Sequence, residues 1–263
     1  MVLEVTDNKV RINIMGDEKT RVYGENININ KNKVKLFWNK RGENYTEDNP
    51  YKAVKCNDNN TEYAKMLDEY EKNNIIPKLN INKNSKVLDI GCGIGRLAEI
   101  LVPKSNYYLG TDFAESLLNI AKSRIVSFGN YDFQVSDFIN VSDNIIVKKN
   151  APFNKVILAG VAMYINDEEL TSCFENLLKI LDTKSIIYLS GPIATKERLT
   201  LEEFYSKDLK SEYSVIYRTI DEYMDVFKTL TDNGFKIIEN KNFLSEIKQY
   251  SETERHYFIL IRE

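Results

Sequence analysis

The sequence predicts an α/β fold, a mostly parallel sheet with helices on both faces. Two observations carry this. First, strand-like runs recur at Lys86 to Ile90, Tyr107 to Thr111, Tyr131 to Val135, Lys155 to Ala159, Ser185 to Ser190, Phe235 to Asn240 and His256 to Ile261. Between the early runs lie segments with apolar residues at helical spacing, such as Leu117, Leu118, Ala121 and Ile125, or Leu170, Phe174, Leu177 and Leu181. Second, the first run passes directly into the glycine turn Val87-Leu88-Asp89-Ile90-Gly91-Cys92-Gly93-Ile94-Gly95-Arg96 and then a helix from Leu97 to Leu101. Lys241 to Arg255 is polar and broken, so the last two runs are expected to pair antiparallel.

Ahead of that core, residues 1–36 alternate apolar and polar positions (Val10, Ile12, Ile14, then Val22, Ile27, Ile29), with Gly16-Asp17 and Gly24 as turn signals. They read as a β-strand extension, suited to pairing across a homodimer or to covering a sheet edge. Residues 37–80 read as cap helices. Val34, Phe37, Trp38 and Arg41 fall at helical spacing before Asn49-Pro50, and Tyr63, Met66, Leu67 and Tyr70 form a second stripe. Residues 81–263 form the ligand-binding domain. Within it, the stretch at about 192–223 is too long for an ordinary connection and is expected to form a helical lid over the strand ends.

A chain of 263 residues that is 43% hydrophobic can bury one substantial core. Its formal net charge of -3 comes from balanced acids and bases, which disfavours nucleic acid or an anionic membrane as partner. Cys56, Cys92 and Cys173 show no spacing of a zinc site or disulfide framework, and no cluster of histidines and carboxylates suggests a metal. The charged start offers neither a signal peptide nor a membrane span, so a cytoplasmic protein is expected.

Glycine turns at the start of a helix let the backbone approach a ligand. A dinucleotide fingerprint would need small residues at 91, 93 and 96, whereas here glycines stand at 91, 93 and 95 with Arg96 sixth. Asp89 would repel a diphosphate but would attract a cationic ligand such as S-adenosylmethionine, with its ammonium and sulfonium.

From these residues the chain resembles the class I S-adenosylmethionine-dependent methyltransferases, whose first motif reads much like VLDIGCGIGRLAEIL. The resemblance implies a Rossmann-like sheet of seven strands, one of them antiparallel near an edge. Asp89, Gly91, Cys92, Gly93 and Gly95 then build the cofactor turn, with the Cys92 thiol incidental. Asp112, followed by Phe113 in GTDFAESLL, would grip the ribose hydroxyls; Asp137 and Phe138 in VSDF would take the adenine amine and cover its ring. Gly160 to Tyr164 in AGVAMYIND would face the methyl group. FWNKRGENY looks like the aromatic lead-in helix of small-molecule methyltransferases, which makes Trp38, Arg41 and Tyr45 cofactor-binding candidates. Bland alternatives stand beside these roles: a strand-end turn residue for Asp89, a helix N-cap for Asp112 and a loop acid for Asp137.

Methyl transfer is an in-line displacement in which positioning supplies much of the rate. Tyr164 is the catalytic candidate, by cation–π contact with the sulfonium or by orienting the acceptor, although it suits a packed aromatic equally well. Arg198, Tyr213, Tyr217 and Arg218 in the lid are candidates for binding the substrate, an arginine there being able to hold a carboxylate, phosphate or carbonyl. The alternative is a solvated charged face. His256, the only histidine, reads as a satisfied strand-end residue. The expected function is methyl transfer to O or N of a small-molecule acceptor, such as a sugar, nucleotide-sugar or natural-product scaffold. A non-catalytic cofactor-binding sensor or partner subunit is the alternative, and a nicotinamide oxidoreductase a more distant one.

Overall fold

Alternation along each central strand sends Leu88 and Ile90 to one face of the sheet and Val87 and Asp89 to the other, so both faces must be covered. The computed structural model describes residues 2–6, 9–13, 21–56, 58–125, 130–244 and 250–263. Among the described residues, strands β1 (Val2–Thr6) and β2 (Lys9–Asn13) pair with each other and with no other strand, and β3 (Arg21–Tyr23) follows. The turn expected at Gly16-Asp17, with Ile14, lies outside the described residues. Next come helices α1 (Lys31–Glu43) and α2 (Thr61–Tyr70). Asn30 caps α1 by accepting hydrogen bonds from the amides of Asn32 and Lys33, and α2 runs on through a π turn at Glu71–Ile75.

The main body then alternates: β4 (Lys86–Ile90), α3 (Ala98–Leu101), β5 (Tyr107–Asp112), α4 (Glu115–Arg124), β6 (Tyr131–Val135), α5 (Ile145–Asn150), β7 (Phe153–Ala159), α6 (Asp167–Leu178) and β8 (Leu181–Ala194). After it come β9 (Leu199–Ser206), β10 (Ser211–Tyr217), α7 (Ile220–Thr231), β11 (Lys236–Asn242) and β12 (Thr253–Arg262). The main sheet has seven strands in the order β11-β12-β8-β7-β4-β5-β6, with β12 antiparallel to both neighbours and the other pairings parallel. The chain reverses direction across the sheet between β4 and β7, and a crevice opens at the carboxyl ends of these strands.

Three apolar clusters hold the molecule together. One joins Leu88, Leu109, Leu158 and Leu189 to Phe174 of α6 and Phe227 of α7. The opposite face packs Val87, Tyr108, Ile157 and Ile259 against Leu67, Leu118 and Ala121. Each fully buried Leu, Ile or Phe contributes about 1.5–3 kcal/mol relative to exposure. The third cluster sits above the strand ends, where Val34, Phe37 and Trp38 of α1 meet Tyr164, Leu199, Tyr213, Val215 and Ile216.

That third cluster corrects the expected helical lid. Residues 199–217 form an antiparallel hairpin, and β9 also pairs with β3, giving a three-stranded roof in the order β10-β9-β3. β-Branched and aromatic residues (Thr200, Phe204, Tyr213, Val215, Ile216) favour strands here, and the charges collect in the 207–210 turn and along the solvated side. The amino-terminal extension therefore does not stay apart from the lid, because its β3 is part of the same sheet. The end of the expected lid also cuts into α7, a regular helix opened by a Thr219–Glu222 capping box.

Candidate functional site

The strand ends and the roof enclose a cavity of about 780 Å³, within the range of small-molecule sites. Its lower half is built by the β4 turn. Gly91 and Gly93 have φ of +72° and +56°, and a side chain on Gly93 would come within 2.7 Å of Val54. Gly95 lies off the cavity, against Ala121 of α4. Asp112, at the end of β5, bridges the turn and the next helix: Oδ2 accepts from the Gly93 amide at 2.9 Å and Oδ1 from the Ala114 amide at 2.8 Å. Burial pushes its carboxyl up to about 6 against those hydrogen bonds. Burial likewise pushes Asp89 up to about 7, although the Tyr108 hydroxyl donates to it at 2.7 Å. Two buried, hard-to-ionise carboxylates beside one cavity suit a ligand that brings positive charge and hydroxyl donors. S-adenosylmethionine has both, so the donor set fits that cofactor.

Cys92, Phe113, Asp137, Phe138 and Gly160 also line the cavity. Asp137 is exposed, with Oδ1 held by the amide and side chain of Asn140, whereas Phe138 is buried edge-on against Phe174. Gly160, at φ +77°, has open space where a side chain would stand. Trp38 reaches the cavity from α1 and packs edge-on against Tyr164, ring centres 5.3 Å apart.

The upper half is aromatic. Tyr164 is buried on a short 3-10 turn after β7, and its hydroxyl has no hydrogen-bond partner beyond the weakly bonding Cys56 thiol beside it. Burial keeps this phenol well above its ordinary range. The Tyr213 and Tyr217 hydroxyls, both from β10, pair with each other, and Met163, Phe204 and Tyr205 also line this part of the cavity.

Besides Gly95, four expected site residues stand elsewhere. Arg41 does not line the cavity; it bonds Asp58 at 2.7 Å and the carbonyl of Lys52. Tyr45 packs at the margin of the roof cluster, outside the lining. Arg198 is clamped by Asp167 and Glu222, each at 2.8 Å. Arg218 is fully buried, donating to Asp167 at 2.6 Å and to the carbonyls of Ala162 and Ile165 at 2.9 and 2.6 Å. Both lid arginines are engaged by Asp167, because a buried guanidinium needs a carboxylate, and neither is among the residues lining the cavity.

Other lining residues escaped the sequence reading. Lys55, Glu71 and Arg96 form part of the floor. Arg96 lies between Asp68 at 2.8 Å and Glu71 at 2.5 Å, and Glu71 is held down to about 2 by the Arg96 and Lys55 charges, against the opposing effect of its burial. Glu71 belongs to the π turn after α2, about 20 residues from the glycine motif, and no spacing rule points to it. His256 also reaches the lining, with its ring nitrogens 2.8 and 2.5 Å from the Asn242 and Asn240 side-chain oxygens. Burial pushes its imidazole down to about 4. Among the described residues no group of side chains is arranged to hold a metal, and no helix is long and apolar enough to cross a membrane.

Residues 81–254 match the family model described as "Methyltransferase domain". The chain is 24% identical over 241 residues to phosphoethanolamine N-methyltransferase of Plasmodium falciparum, covering 90% of this chain and 79% of that protein. It is 26% identical over 163 residues to phosphoethanolamine N-methyltransferase 1 of Caenorhabditis elegans, a match that spans 62% of this chain but only 32% of the nematode protein. Among solved structures, Haemonchus contortus phosphoethanolamine N-methyltransferase 1, in complex with phosphoethanolamine and S-adenosylhomocysteine, superposes with a TM-score of 0.68 at 19% identity, covering 88% of this chain and 48% of that one. The magnesium protoporphyrin IX methyltransferase of Synechocystis with bound S-adenosylmethionine gives 0.56 at 17% identity, over 91% of this chain and all of that one.

Proposed function

Because this chain belongs to the methyltransferase domain family and is an S-adenosylmethionine-dependent enzyme, we propose that it methylates an oxygen or nitrogen of a small, ring-bearing acceptor held under the β-hairpin roof. The observation that carries this is the tyrosine wall. Tyr164, Tyr213 and Tyr217 surround a chamber continuous with the cofactor half, and their faces and hydroxyls suit a ring bearing polar substituents. Sugars, nucleotide-linked sugars and natural-product scaffolds have that form. A relative named for phosphoethanolamine and a structural neighbour named for magnesium protoporphyrin, acceptors of very different size, support a small-molecule acceptor.

In this reading the cofactor would supply an electrophilic methyl on a sulfonium, which the acceptor's lone pair would take with loss of the acceptor's proton to solvent, leaving the thioether product. Asp112 would hold the ribose and Asp89 the ammonium, on the side of the cavity that Gly160 and Tyr164 also line. Tyr164 orients the acceptor through its hydroxyl and offers its ring face to the positive charge. A chamber that opens into the cofactor half but has an aromatic lining of its own favours catalysis over a sensor that only binds the cofactor. The proposed setting is the cytoplasm.

Calorimetric titration tests the assignment of sites. S-adenosylhomocysteine should bind at micromolar Kd and Asp112→Ala should weaken it by roughly 100-fold, the loss of two hydrogen bonds to a carboxylate, with NAD failing to bind. Methyl transfer is then screened over small ring-bearing acceptors by mass spectrometry. Methylation confined to protein or nucleic acid would sink the acceptor assignment.

A further inference from the structure

The floor of the cavity contains a lysine that the protein does not neutralise closely. Lys55 is buried at 9% exposure and lines the cavity. Its ion-pair partner is Glu71, at 3.7 Å. That carboxylate already receives Arg96 at 2.5 Å, the Tyr188 hydroxyl at 2.6 Å and the Ser190 hydroxyl at 3.2 Å. Lys55 therefore stands at arm's length from an anion claimed by nearer donors. Burial and then the Arg96 charge both act against its ammonium, pulling it down to about 7. A buried cation with that little compensation is costly unless a ligand completes the pairing.

What completes it is indicated by the neighbour on the same floor. Asp89 lines the same cavity, buried, and accepts a hydrogen bond from the Tyr108 hydroxyl at 2.7 Å. With Arg96 and Glu71 paired to each other, the floor thus offers the Asp89 carboxylate and the Lys55 ammonium to a ligand, the complement of a free amino-acid group. We propose that Lys55 receives the carboxylate at the amino-acid end of the cofactor, opposite Asp89, and that Arg41 is a positioning residue for it. Arg41 reaches from α1 to Asp58 and to the carbonyls of Lys52 and Lys55 (3.4 Å to the latter), so it fixes the loop from which Lys55 projects. This assignment rests on the cofactor and is independent of the acceptor.

The test compares S-adenosylhomocysteine with its decarboxylated counterpart by calorimetry on the full chain. The wild type should prefer the carboxylate-bearing ligand by roughly 10- to 100-fold, as for a charge-assisted hydrogen bond in a buried site. Lys55→Met should erase that preference by weakening S-adenosylhomocysteine alone, and Lys55→Arg should retain most of it. Arg41→Gln should reduce the preference while both ligands still bind, which a merely structural defect would not do, since that weakens both alike. Equal affinity of the wild type for the two ligands overturns the proposal and leaves the methyltransferase assignment standing. So does an undiminished preference in a Lys55→Met protein whose circular dichroism is native. Should that variant not fold, Lys55→Gln and the wild-type ratio decide the matter in the same way.

Discussion

The two halves of the cavity are built by different means. In the cofactor half, Asp89, Gly91, Gly93 and Asp112 sit within one strand–turn–helix unit and the strand beside it, and Asp112 is tied to the turn by backbone hydrogen bonds. In the proposed acceptor half, Tyr164 stands on one turn, Tyr213 and Tyr217 on a hairpin and Trp38 on the first helix, and contacts between elements remote in sequence bring them together. A site made of local backbone keeps its shape when distant contacts change. One assembled from remote aromatics depends on its clamps. Of these the strongest is Arg218, at the end of the hairpin, which holds both carbonyls flanking Tyr164.

The largest effect that would expose this difference comes from Arg218→Met. It strands the carbonyls of Ala162 and Ile165 and removes one partner of Asp167, so stability in urea should fall by about 3 kcal/mol. The folded fraction should still bind S-adenosylhomocysteine within about threefold of wild type. A large loss of cofactor affinity would show that the halves are not separable.

A change of pH should act on the cofactor floor. Asp89 and Asp112 have carboxyls raised to about 7 and about 6 in the folded state. Protons are therefore held more tightly folded than unfolded, and their contribution to stability is fully present below about pH 4 and lost as pH rises through 6 to 7. Cofactor binding runs the other way, because a cationic ligand prefers the ionised carboxylates. Affinity should rise by about tenfold between pH 5.5 and 7, then decline above 7 as Lys55, pulled down to about 7 by its burial, deprotonates. Calorimetry across pH checks this, and a flat profile would remove Asp89 from the ligand's charge balance.

The smallest effect is expected from Tyr164→Phe, which deletes a buried hydroxyl that lacks a firm partner. Stability should move by no more than about 0.5 kcal/mol and cofactor affinity not at all, while turnover of the acceptor found by screening should fall by up to about tenfold. Unchanged turnover would reduce Tyr164 to a packing residue.

This same contrast explains what could be read from the chain before its structure. The strands, the glycine turn and the carboxylates at 89 and 112 follow from period and spacing, because local backbone geometry dictates them. The roof does not. In 199–217 the acids and lysines resemble a solvated helix, and it is pairing, of β9 with β10 and with Arg21–Tyr23 far away in sequence, that makes those residues strands. Arg198 and Arg218 looked like ligand-facing charges because nothing in their neighbourhood announces Asp167 as their partner. Lys55 and Glu71 went unnoticed for the converse reason: each sits in an unremarkable polar stretch and becomes special only when folding buries it beside Arg96.

The roof sheet also sets an order of assembly. Its strand β3 lies at residues 21–23 and its partners at 199–217, and Glu252 beyond them bonds Arg21 and Tyr23 across the mouth. Closing loops of that length is entropically slow compared with forming adjacent strand–helix units. As the chain leaves the ribosome, the cofactor turn has all its parts long before the roof does. A nascent chain would thus complete the proposed cofactor turn first and the roof that covers it last.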